Sequence, residues 1–275
     1  MRLAVPLVHT SGMSRAPLVA RNSAASADEY VGMVVARHSV GVGPRCAATA
    51  AANVLIPAVR AWAGSALLGI QLSGSFAKGT AISLGTDVDL FLSLDSKLAV
   101  KDLYWGLHRF CAERQMNPQA QDVSVGVRSG GMRVDLVPGR KRTGNTGDHT
   151  LYRRRKDSWV QTNVEEHVSL VAGSGRTNEI RAAKIWRERN RLEFPSFYLE
   201  LTVMGALRYV RVASLAERCM EVLRYLAGDF EKARVVDPAN SNNVISDDVD
   251  QVEKRLIAAA SRRSLTMGDW SEILW

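Results

Sequence analysis

Residues 74–94 of this chain read GSFAKGTAISLGTDVDLFLSL, and no other stretch leaves the fold fewer options. A Gly-Ser pair after an apolar run marks a strand that turns sharply into a helix. Farther on, Asp87 and Asp89 flank one apolar residue and enter a second apolar run. Side chains alternate faces along a strand, so these two carboxylates project from the same side. Held side by side, they repel each other and lose hydration unless a cation compensates. Hard oxygen ligands on one edge, with room left for phosphates, suit magnesium. The Gly-Ser turn presents backbone N–H groups to an anion such as a triphosphate. The stretch reads as a place where a nucleoside triphosphate meets metal ions, with Gln71, Lys78 and Thr86 as its neighbours.

A third carboxylate completes the set. In the run Met132-Arg133-Val134-Asp135-Leu136-Val137-Pro138, Val134 and Leu136 alternate with Asp135, so the apolar pair faces a core and the acid faces away. A neighbouring strand would bring Asp135 beside Asp87 and Asp89. Two Mg2+ ions (Mn2+ substituting) about 3.5–4 Å apart could then stabilise the attacking and leaving oxygens of an in-line phosphoryl displacement.

These blocks resemble those of the DNA polymerase β-type nucleotidyltransferase superfamily. Further on stand Lys184-Ile185-Trp186, then Ser196-Phe197-Tyr198-Leu199-Glu200, then Asp237-Pro238 with Asn242-Asn243-Val244. In that order they resemble the oligoadenylate synthetase and cGAS/DncV-like group, the CD-NTases. The resemblance implies an α+β fold: a polymerase β-like lobe, with a mixed sheet and flanking helices, packed on a C-terminal helical lobe across an active-site cleft. It implies nucleotide contacts from Lys184 and Ser196, and a bracing loop in which Asp237 and Asn243 support the site. The activity implied is template-independent joining of NTPs, ATP or GTP, into a cyclic di- or trinucleotide or a short oligonucleotide. That product would be a second messenger of antiviral defence, read by a downstream effector. Three alternatives stay open: an RNA 3′-end (CCA-adding-like) transferase, a small-molecule nucleotidyltransferase, and a catalytically silent nucleotide- or RNA-binding module.

Helical spacing predicts helices over residues 27–36, 47–62 and 101–116, the second as a spine beneath the sheet. Strands are expected over 67–72, 87–94, 123–127 and 132–137, and a basic, Gly-rich loop over 138–148. From residue 163 the pattern is helical: 165–171, 177–190, 196–212, 215–226 and 247–260. Strands first and helices later divide the chain into a catalytic lobe over 26–160, spine helix included, and a helical lobe over 161–275. Residues 1–25 read as a disordered tail or a mis-assigned start, with Met13 as an alternative first residue.

The chain carries a net charge of +8, much of it from Arg140-Lys141-Arg142 and the RRRK run at 153–156. Such a surface can bind nucleic acid, collect triphosphates or simply be solvated. His149 and His167 read as ordinary residues, and Trp159 as a packing residue. Cys46, Cys111 and Cys219 are isolated, which argues against a disulfide framework or zinc cluster and for a reducing, cytoplasmic setting. No apolar run is long enough to span a membrane.

Overall fold

The structure, a computed structural model, describes residues 24–41, 43, 45–85, 87–144 and 146–275. The expectations for residues 1–23, Met13 included, and for Thr86 lie outside the described residues.

The first half is built on a mixed sheet. After helices α1 (Ala24–His38) and α2 (Ala47–Ala63) come β1 (Leu67–Leu72), the one-turn helix α3 (Gly74–Ala77), β2 (Val88–Leu94), α4 (Val100–Glu113), β3 (Gln119–Ala120), β4 (Val125–Ser129) and β5 (Met132–Lys141). Strands β6 (His149–Arg153) and β7 (Ser158–Thr162) follow. The order is β1-β2-β5-β4-β3, with β6 bridging β5 and β7. Only β2 and β5 run parallel.

Strand alternation gives the sheet two different faces. Val88, Leu90 and Leu92 of β2, with Val134 and Leu136 of β5, pack into one core. Helix α2 covers them with Ala48, Ala51, Ala52, Leu55 and Val59, and α4 with Leu103, Tyr104, Leu107 and Cys111. Both sets follow the period that puts apolar residues on one helix face. The opposite face carries Asp89 and Asp135, then Phe91 and Val137 farther along the same strands, which form a small separate cluster with Leu151. The acids sit on this face because their neighbours in sequence are needed in the core.

The second half comprises α5 (Val164–Ala172), α6 (Thr177–Arg189), α7 (Ser196–Ala206), α8 (Leu215–Ala227), the two-stranded β8 (Val236–Asp237) and β9 (Asn240–Val244), α9 (Gln251–Thr266) and α10 (Trp270–Ile273). Its core gathers Trp186, Tyr198 and Phe230. Helix α1 joins this core rather than the sheet's. Val31, Val34 and Val35 are buried there, at roughly 1.5–3 kcal/mol for each such side chain. The N-terminal helix therefore straps the helical half, while α2 is the spine beneath the sheet.

Several elements differ from expectation. The loop expected over 138–148 begins late, because β5 runs on to Lys141, and β6 and β7 follow it. The RRRK run is the end and turn of that β6–β7 hairpin, and much of its charge is engaged. Arg153 reaches Asp122 (3.4 Å) and Asp248 (2.8 Å), and Lys156 reaches Asp248 (3.3 Å). Arg154 donates to the Gln121 carbonyl at 3.0 Å. Trp159, expected to pack, is 63% exposed on β7. Helix α7 stops at Ala206, and α9 starts at Gln251, where Asp250 accepts from the Glu253 N–H. The three cysteines are free, and no helix among the described residues is long and apolar enough to cross a membrane.

Candidate active site

An open cleft of about 810 Å³ lies between the two halves. Gly74, Ser75 and Lys78 line it from the α3 turn, Asp87, Asp89 and Asp135 from the sheet, and Lys184 and Ser196 from the helical side.

The acidic face follows from register. The parallel pairing of β2 with β5 sets Asp89 directly against Asp135, and β4 sets Gly126 against Asp135 on the other side. Gln121 donates to Asp135 Oδ1. Burial, then the like charges of Asp135 and Asp87, push the Asp89 carboxyl up to about 7, against the pull of Lys78 and Lys184. Burial and Asp87 push Asp135 up to about 6, opposed by Arg133 and by hydrogen bonds from Gln121 and Ser124. Asp87 is raised by burial against Arg133 and Arg128. This is a repelling cluster of oxygen-only donors, and its chemistry fits a hard divalent cation. Among the described residues, however, no three such side chains stand close enough to hold an ion as they are. The Arg133 guanidinium lies between two of them, with Nε 3.4 Å from Asp87 Oδ2 and 3.7 Å from Asp135 Oδ1.

The turn is locked to the same strand. The Ser73 N–H donates to the Asp89 carbonyl at 2.8 Å. Gly74 has φ +58°, and a Cβ there would stand 1.7 Å from Asp89 Oδ2. Only glycine brings the backbone this close to the carboxylate.

The facing wall is cationic and buried. Lys78 Nζ donates to Glu200 Oε2 at 2.9 Å, and Lys184 Nζ to Glu200 Oε1 at 2.7 Å. Thr80 Oγ1 donates to Glu200 Oε1 (2.8 Å) and accepts from Lys184 (3.0 Å). Lys78 and Thr80 come from the sheet half, Lys184 and Glu200 from the helical half. Burial works to raise the Glu200 carboxyl, but Lys78 and Lys184 outweigh it and hold it below its ordinary value. Burial lowers Lys184, with Glu200 opposing. Two lysines around one glutamate leave an excess positive charge across from the acids.

Ser196 is the first residue of α7, where Pro195 occupies the cap position. Its hydroxyl accepts from Arg187 Nη1 at 3.0 Å. Asp237 and Asn243 stand behind the cleft. Asn243 Nδ2 donates to Asp237 Oδ2 (3.1 Å), and His167 Nε2 pairs with Asp237 Oδ1 (2.7 Å). The His167 ring packs on Phe197 at 4.2 Å, and Phe197 in turn lies 4.2 Å beneath Lys78 Nζ. Gln71 is not at the turn site. It pairs with Phe91, two residues beyond Asp89, and lines a second cavity with Ser93 and His149. There His149 bonds to Ser93 Oγ at 2.7 Å and to the Gly147 carbonyl at 2.9 Å.

Sequence reasoning assigned no role to Glu200, Thr80, Arg187, Gln121 or Arg133. Glu200 carried a signal, as the one charged residue in the apolar helix SFYLELTVMGA. An acid there must be paired when the helix is buried. Gln121 carried none.

No family model matches the chain. The curated cyclic AMP-AMP-AMP synthase of Escherichia coli (strain MS 115-1) is 27% identical over 202 residues, 64% of this chain and 63% of that protein. The chain thus matches less than two thirds of that relative's length. The structure of E. coli MS115-1 CdnC with ATP aligns with a TM-score of 0.71 at 19% identity, covering 90% of this chain and 96% of that one. The Bradyrhizobium diazoefficiens CD-NTase CdnG in complex with GTP aligns with a TM-score of 0.72 at 15% identity, covering 90% and 93%. At such identities the structures speak for the fold alone, a mixed-sheet half joined to a helical half. The chain is thus similar in sequence to a cyclic AMP-AMP-AMP synthase and shares its fold with a CD-NTase of known structure.

Proposed function

We propose that the chain is a template-independent nucleotidyltransferase that joins NTPs, with ATP or GTP as substrates, into a cyclic di- or trinucleotide or a short oligonucleotide. The carrying observation is the cleft's polarity: Asp89 registered against Asp135 beside the Gly74 turn, facing the Lys78–Glu200–Lys184 wall. The similarity to a cyclic AMP-AMP-AMP synthase supports the product class, and the ATP and GTP held by CdnC and CdnG support the substrates. A role in antiviral signalling, with an effector that reads the product, belongs to the same proposal.

Asp87, Asp89 and Asp135 would hold two divalent cations, Mg2+ with Mn2+ substituting. Bound there, the ions supply charge neutralisation at the phosphates and a lowered pKa at the acceptor ribose hydroxyl. The chain's own residues do the rest. Gly74, with no side chain in the way, and Ser75, with its N–H and hydroxyl, meet the β- and γ-phosphates. Lys78 and Lys184 meet phosphate charge from a wall that Glu200 keeps rigid, so little reorganisation is needed as charge develops. Gln121 fixes the orientation of Asp135, and Ser196 and Arg187 close the helical side. In-line geometry comes from holding both reactants in one cleft rather than from covalent chemistry by the protein.

The test is incubation with the four labelled NTPs and Mg2+ or Mn2+ without template, followed by phosphatase. Phosphatase-resistant short products are expected, falling by roughly 10²–10³-fold or more in Asp87→Asn and Asp89→Asn. Label that moves only onto added RNA or an aminoglycoside would replace this reading with one of the other transferases.

A further inference from the structure

We propose that Arg133 is the resident counter-ion of the acidic face: it spans Asp87 and Asp135 in the cation-free protein, and its displacement is what divalent cation binding must accomplish. The inference rests on the carboxylate reading of the cleft given above.

Four observations carry it. Arg133 and Asp135 are two apart on β5 and therefore share a face. The guanidinium reaches both acids, its Nε 3.4 Å from Asp87 Oδ2 and 3.7 Å from Asp135 Oδ1. The β4–β5 register places Arg128 directly opposite Arg133. Like charges directly opposite are unfavourable in a sheet, and the nearby Asp87, whose charge both arginines favour, offsets the cost. Finally, the seat is kept clear by Gly126, where a Cβ would stand 2.8 Å from Gln121 Nε2, 3.0 Å from Asp135 Oδ1 and 3.4 Å from Arg133 Nε.

The chemistry of arginine makes it suited to this part. Its charge persists at every working pH, so the acids have a partner whatever their own protonation. A monocation on a long, flexible stem is also one that a divalent ion can replace. The Arg133 side chain is 44% exposed, so it can swing into water without a large desolvation change. Glu200 offers the contrast, since its lysines are buried and have nowhere to go. Arg133 is thus a positioning residue. It holds Asp87 and Asp135 apart and orderly, and it sets how tightly a cation can be held.

The experiment measures Mn2+ binding to nucleotide-free protein by the EPR signal of free Mn2+, with thermal unfolding alongside. Arg133→Gln should bind Mn2+ roughly two- to tenfold more tightly than wild type, the range that two ion pairs sharing one half-exposed arginine can supply. Without metal it should unfold at a lower temperature, and Mn2+ should restore the difference. Arg128→Gln removes the same charge from the neighbouring strand and should change affinity less. Equal tightening in both variants would mean a through-space charge effect and would overturn the counter-ion role. So would unchanged or weaker Mn2+ binding in Arg133→Gln, when wild type binds Mn2+ and Asp89→Asn does not. Arg133→Lys, which keeps the charge but not the fork, serves if the Gln variant does not fold, and should lie between Gln and wild type; affinity at or below wild type counts against the role. Failure of wild type itself to bind Mn2+ would overturn both this inference and the carboxylate reading beneath it.

Discussion

The two walls of the cleft solve opposite electrostatic problems in opposite ways. On the sheet side, three carboxylates share one face, and the arginine that reaches two of them, Arg133, is half exposed. Burial first, and like charge second, raise Asp89 to about 7 and Asp135 to about 6. Where the two halves meet, Lys78 of the sheet half and Lys184 of the helical half are buried around one glutamate that is itself almost fully enclosed, and Lys78, Lys184 and Thr80 each donate at 2.7–3.0 Å. The first wall is loosely compensated and ready to accept a cation. The second is tightly compensated and built to stay. A metal-bearing triphosphate has both kinds of charge, and the two walls meet it from opposite sides with different stiffness.

The sharpest way to break this comparison is to take the anion out of the rigid wall. Glu200→Gln keeps the shape and some hydrogen bonding but leaves Lys78 and Lys184 buried together. Breaking a buried ion pair costs on the order of 3–5 kcal/mol, and denaturant unfolding near pH 7 should lose about that much. The loss should shrink at alkaline pH. Burial already lowers Lys184, and without Glu200 nothing of comparable size opposes it. A lysine whose folded pKa lies below its unfolded one makes the unfolded state the better proton binder, so stability rises with pH between the two values. A loss below about 1 kcal/mol would put this wall in the class of surface ion pairs and end the contrast.

How far each wall was legible in the sequence follows from the same difference. Strand alternation alone puts Asp87, Asp89 and Asp135 on core-averse positions, and one parallel pairing brings Asp89 to Asp135. The acidic face therefore needed one assumption about register. Lys184 was singled out through resemblance, but its partnership with Glu200 and Thr80 joins residues 16 and 104 positions away. The first contact needs α6 packed on α7 and the second needs one half packed on the other, so no local pattern announced either. Gln71 shows the converse error, since proximity to Gly74 in sequence implied proximity to the site, whereas the strand carries it toward Phe91 and another cavity. The β6–β7 hairpin escaped notice because its strands are short and its turn is a run of charge. A run like that looks like solvated loop until Asp122 and Asp248 are found beside it.

A smaller effect tests the loosely compensated wall. Asp89 and Asp135 have folded pKa values raised toward neutrality, so the metal-free folded state holds protons that the unfolded chain has given up. Stability should then fall as pH rises from about 4 toward 7. A cation needs the ionised carboxylates, so its stabilising effect should grow across the same window. The rise in unfolding temperature produced by a fixed Mn2+ concentration should be clearly larger at pH 7.5 than at pH 5.5, and absent in Asp89→Asn at both. Equal shifts at the two pH values would show that these acids are not what the ion titrates.

The smallest effect separates burial from mere bridging. Asp248 also ties the two halves together, through Arg153 at 2.8 Å and Lys156 at 3.3 Å, but these groups are partly in solvent. If enclosure, and not the crossing itself, gives the Glu200 cluster its rigidity, Asp248→Asn should cost no more than about 1 kcal/mol. That cost should fade in 1 M salt, where screening acts over about 3 Å. Glu200→Gln should keep most of its deficit in the same salt, because ions do not reach a side chain that is 1% exposed. Should Asp248→Asn instead lose as much stability as Glu200→Gln, and lose it regardless of salt, the hairpin contact would be a second rigid joint. The stiffness of the cleft could then no longer be ascribed to the lysine–glutamate wall alone.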